Sequence, residues 1–143
     1  TAIYTGFLFA QARARDLWQN PLLPPHLVIQ AVILASAALL PAAAWLERGV
    51  VRDLAWVLAA TASTHLLMVL GETTLPHVTA HARLATHNMV AGPYARFFWV
   101  GVGLLAAGAL APVLGVAVAP LALLGLLSHE HAYVQAGQSV PLA

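Results

Sequence analysis

His65 and Glu72 stand seven residues apart in the apolar run 51–72, VRDLAWVLAATASTHLLMVLGE. That spacing is about two helical turns, so a helix would carry both side chains on one face. An imidazole and a carboxyl group so placed can pass a proton along or hydrogen-bond a polar ligand. Inside lipid such groups are expensive, and they normally face a bundle interior or a wet cavity. The structural alternative is a helix-packing hydrogen bond for His65 and an interfacial, solvated Glu72. A second cluster, SHEHAY at 128–133, closes the last apolar run. Its spacing puts His131, Gln135 and Gln138 on one helix face, and His129 and Tyr133 on another. This stripe either lines a cavity or docks a partner, or it is an interfacial cap with Tyr133 as a belt residue. Glu130, His131 and Tyr133 thus join His65 and Glu72 as candidates for a proton path.

Metal chemistry finds less support. His65 with His129 or His131 would ligate haem b only at matching depths in two helices. His65 lies mid-span and the other two near a helix end, so a shared haem is not expected. His77, His81 and His87 follow at spacings of four and six, with no carboxylate nearby before Glu130. They read as a polar partner surface rather than a zinc site. The chain has no cysteine, which removes thiolate-bound zinc, iron–sulfur clusters and disulfides from it. No nucleophile elbow, Walker loop or GxGxxG occurs, so no catalytic residue is assigned.

The elements that must position these groups are lipid-soluble. Of 143 residues, 61% are hydrophobic and 8% charged, with a mean hydropathy of +0.83. A soluble domain is about half apolar and one quarter charged, so this is an integral membrane protein. The six arginines are scattered, there is no lysine, and the net charge is +1, which excludes nucleic acid as a partner. Residues 1–12 are too short to span and read as the end of a transmembrane helix, since roughly 20 residues cross about 30 Å. Because the chain opens at Thr1 directly into apolar sequence, it is expected to be the C-terminal part of a longer protein. Arg13, Arg15, Asp16 and Trp18 form an interfacial loop, and prolines 21, 24 and 25 close one helix and open the next. A four-helix transmembrane bundle is expected over 25–136, followed by a tail at 137–143. Its helices are placed at 25–46, with a kink at Pro41, at 51–72, at 96–114 and at 116–136, the last two joined by a minimal turn. The polar stretch 73–94 is expected to hold a short amphipathic helix at the interface.

Four motifs, YTGFLFAQARARDLWQNPLLP at 4–24, the Gly71–Glu72 pair, GPYARFFW at 92–99 and HEHAYVQAGQSVPL at 129–142, together resemble the NrfD/PsrC family. That family comprises membrane subunits of polysulfide-reductase-type enzymes and the large membrane subunits of alternative complex III. The resemblance implies an all-α integral membrane fold of eight helices, of which this chain supplies the end of the fourth and then the second half. It implies electron exchange between the quinone pool (menaquinone or ubiquinone, as exchangeable substrate) and an iron–sulfur subunit, with other membrane subunits and lipid as further partners. It implies no haem or metal in this chain, and a home in the bacterial cytoplasmic membrane. Tyr4 matches the family's quinone-binding tyrosine; Arg13, Arg15, His81, Arg83 and His87 would face the iron–sulfur partner. Some members are proposed to translocate protons, and His65 and Glu72 would serve such a path. In several members the partner side lies outside the cytoplasmic membrane, whereas the arginine tally points the other way. The rival readings are a passive structural anchor and a haem b subunit.

Overall fold

The computed structural model describes residues 1–12 and 15–141, and these are helical with no strand among them. Helix α1 (Ala2–Ala10) leads through a 3-10 turn (Asp16–Gln19) into α2 (Leu23–Leu46), which carries Pro24 and Pro25 in its first turn and runs on through Pro41. Proline is tolerated in a first turn because the N–H it lacks has no acceptor there. The polar turn Glu47–Val50, in which the Glu47 side chain accepts from the Gly49 N–H, reverses the chain into α3 (Val51–Thr74).

Helix α4 (Ala80–Val90), capped by the Thr79 hydroxyl, lies across the same end of the bundle from which α2 sets out. The chain then bends by 70° into α5 (Ala95–Gly108). Helices α2, α3 and the final α7 (Ala119–Ser139) are long and apolar enough to cross a membrane, and α4 and α5 reach that length and apolarity only when the bent pair is taken together.

The last two crossings differ most from the sequence reading. The third crossing does not continue to residue 114: α5 stops at Gly108. A cap made of α6 (Ala111–Leu114) and a 3-10 turn (Gly115–Val118) precedes α7. Pro112 and Pro120 each sit at the start of a new helix, as their missing N–H groups require, and Gly115 takes φ 68°, a left-handed conformation that glycine adopts without a Cβ clash. The far end of α7 is also longer than expected, running past 136 to Ser139, where the Arg15 guanidinium donates to the carbonyls of Gly137, Gln138 and Val140. A cation at a helix C-terminus satisfies carbonyls that have no intrahelical partner.

The most extensive packing is between α5 and α7. It depends on Gly101 and Gly125, because a Cβ on Gly101 would lie 2.7 Å from the His129 backbone nitrogen and one on Gly125 would lie 2.8 Å from the Leu105 backbone nitrogen. Lipid tails are as apolar as leucine, so helices in a bilayer associate through such close backbone approach. Two apolar clusters fill the core: Leu17, Trp18, Phe98, Tyr133 and their neighbours at the loop end, and Ile33, Leu40, Leu58, Leu105, Val118 and theirs at the other. Between them lies a layer of buried polar side chains.

Candidate functional site

Helix α3 delivers His65 and Glu72 to the interior, 0% and 8% exposed, as their shared face requires. They do not touch each other through a hydrogen bond. His26, from the first turn of α2, stands between them: its Nδ1 lies 3.1 Å from Glu72 Oε1 and its Nε2 lies 2.7 Å from His65 Nδ1. Imidazole is suited to this position because one ring nitrogen donates while the other accepts, and the two roles exchange when a proton passes through. With the Glu72 carboxylate as acceptor the tautomers are fixed in series. His26 Nδ1–H donates to Glu72, His65 Nδ1–H donates to His26, and His65 Nε2 is left as a bare acceptor. That nitrogen is buried and has no partner among the described residues.

Beyond the gap stands His129 of α7, 1% exposed, its ring centroid 4.8 Å from that of His65. His129 Nδ1 is 3.4 Å from Glu130 Oε1, to which Gln30 Nε2 also donates at 2.5 Å. Gln30 follows His26 by four residues and so shares its face of α2. Glu130 is one-third exposed on the flank of the bundle. At the other end of the series, Asn20 Nδ2 donates to Glu72 Oε1 at 3.4 Å. Both residues line an open cleft of about 400 Å³, walled also by Asp16, Gln19, His77 and Thr79. The arrangement is a polar track from the surface at the loop end, through Glu72, His26 and His65, across one unbridged step to His129, and out to Glu130. His65 is nine residues from the end of α3, about 14 Å at 1.5 Å per residue, so the track reaches near mid-membrane.

The other expected residues are placed as follows. Tyr133 is buried, and its hydroxyl donates to the Leu17 carbonyl at 2.9 Å, tying α7 to the 3-10 turn. His131 points outward and packs edge-on against Phe97. Tyr4 is 66% exposed on α1, away from the polar layer. Arg15 is committed to the end of α7, Arg83 donates to the His77 carbonyl at 3.3 Å, His81 is half-buried and His87 exposed on α4. Arg13 lies outside the described residues. The expected depth mismatch between His65 and His129 is corrected. Nine residues separate His65 from the end of α3 and ten separate His129 from the end of α7, so the two meet. Among the described residues no group of three His, Asp or Glu side chains has metal-binding geometry; the three imidazoles pack ring against ring, tilted or edge-on.

Sequence reading passed over His26, Gln30 and Asn20. A signal was present: a histidine and a glutamine four residues apart inside an apolar span are as anomalous as His65.

A protein-family model described as "Polysulphide reductase, NrfD" matches residues 1–140 of this chain. No curated protein and no solved structure matches it.

Proposed function

The chain belongs to the NrfD family, whose members are membrane subunits of quinone-linked oxidoreductase complexes, and from that premise we propose that its polar track conducts protons. In this reading Glu72 exchanges protons with water in the cleft, and His26 and His65 pass them toward the middle of the bilayer. His129 and Glu130 then carry them to the flank of the bundle. Quinone, menaquinone or ubiquinone, reacts at the exposed α1 face that carries Tyr4, whose phenol donates to a quinone carbonyl. Electrons pass between that quinone and an iron–sulfur subunit seated on the loop end, where α4 offers His81, Arg83 and His87. The complex sits in the bacterial cytoplasmic membrane.

The observation that carries the proposal is the hydrogen-bonded series Glu72–His26–His65, buried where a bilayer charges heavily for polar groups. A passive anchor needs no such series, since apolar helices pack without it. A haem held between two of these histidines would require the rings to separate and admit the macrocycle, whereas a relay uses them where they stand.

The test is made on the whole complex reconstituted into liposomes, with protons translocated and electrons transferred measured together. Glu72→Gln is expected to abolish proton movement per electron, and Tyr4→Phe to slow quinol turnover with assembly intact. An unchanged proton-to-electron ratio in Glu72→Gln would refute the relay.

A further inference from the structure

The outer face of α5 and α7 carries an apolar groove of about 620 Å³ that the polar track does not use. Val100 and Leu104 form one wall and Leu124 and Leu127 the other, with Val100, Leu124 and Leu127 more than half exposed. Arg96 and His131 stand together at the end nearest the α4–α5 bend. A single ring organises both. The Arg96 guanidinium carbon sits 4.6 Å from the Phe97 centroid, and the His131 ring meets Phe97 edge-on, also at 4.6 Å. Ser128 donates to the Phe97 carbonyl at 2.8 Å and closes the floor between the helices.

Two features of this groove select its occupant. Among the described residues no carboxylate lies within ion-pairing distance of Arg96, and Arg96 stands in the first turn of α5, where the helix dipole also favours an anion. From residue 96 to residue 104 the groove extends about 12 Å at 1.5 Å per residue, close to the depth of one leaflet of a bilayer about 30 Å thick. We propose that the groove holds one acidic phospholipid, its phosphate on Arg96 and His131 and one acyl chain laid between α5 and α7. A guanidinium preset on an aromatic ring gives directed donors to a phosphate, and the apolar walls suit an alkyl chain.

The purified complex, delipidated and titrated with dioleoyl phosphatidylglycerol or dioleoyl phosphatidylcholine, is read by native mass spectrometry. About one phosphatidylglycerol per copy of this chain is expected, bound on the order of tenfold more tightly than phosphatidylcholine. Arg96→Gln should erase that preference, while Arg83→Gln, at the same end of the bundle, should leave it intact. Val100→Trp should expel the lipid with Arg96 in place, and a bulky side chain on an exposed helix face leaves folding undisturbed. Equal affinity for the two lipids overturns the proposal. So do equal losses from Arg96→Gln and Arg83→Gln, displacement of the lipid by inorganic phosphate, or recovery of quinone or a partner helix in the groove.

Discussion

Replacing His26 by leucine removes the centre of the polar layer and leaves both of its neighbours stranded. Among the described residues Glu72 keeps only the Asn20 amide at 3.4 Å, and His65, whose Nε2 already lacks a partner there, loses the bond at Nδ1 as well. Each buried group left unsatisfied costs about 1–3 kcal/mol in water-soluble proteins. Within membranes the unfolded reference finds substitute partners, and neutral interhelical hydrogen bonds average only about 0.6 kcal/mol. Weighing the two, His26→Leu should destabilise the bundle by about 2–4 kcal/mol. The double variant His26→Leu/Glu72→Leu should recover part of this, giving a coupling of about 1.5–3 kcal/mol, as for a hydrogen bond to a charged group. Reversible unfolding in mixed micelles measures the cycle, and reconstituted complex measures proton movement. Because a positioned proton donor contributes about 10²–10⁴-fold, the proton-coupled rate should fall at least about 10²-fold. His26→Gln separates packing from relay: the amide restores hydrogen bonds and much of the stability but passes no proton. A coupling at or below about 0.6 kcal/mol, or normal proton movement in His26→Gln, would refute the reasoning.

Three further substitutions test the frame around the relay. Gly101→Ala places a methyl 2.7 Å from the His129 backbone nitrogen and should cost about 1–3 kcal/mol by parting α5 from α7; unaltered thermal stability in micelles would contradict that packing. Arg15→Gln removes the donor to three carbonyls at the end of α7. It should speed hydrogen exchange there by on the order of tenfold, with the amides of α2 unaffected as the internal control. Tyr133→Phe deletes one bond to the Leu17 carbonyl, so a loss of about 0.5–1.5 kcal/mol is expected with the proton-to-electron ratio unchanged. A drop in that ratio would put Tyr133 back in the path.

The sequence determined what depends on composition and on spacing within one helix. An excess of apolar residues decides the solvent, because transfer into lipid sums over side chains without regard to fold. The seven-residue interval decides that His65 and Glu72 share a face, because the helical repeat is fixed by the backbone. What side chains on different helices do to each other was decided by tertiary structure alone. Whether His26 falls between His65 and Glu72, or His129 reaches the level of His65, depends on axial shifts of a few ångströms. For His129 the level is set by where prolines 112 and 120 let helices restart, by how closely Gly101 and Gly125 draw α5 to α7, and by Arg15 holding the far end of α7. Tyr133 shows the same division: its face was readable from spacing, but a hydroxyl spent on the Leu17 carbonyl is a fact of packing. One residue along a helix moves a side chain 1.5 Å and turns it about 100°, enough to make or break a hydrogen bond, and only the packed bundle fixes that register.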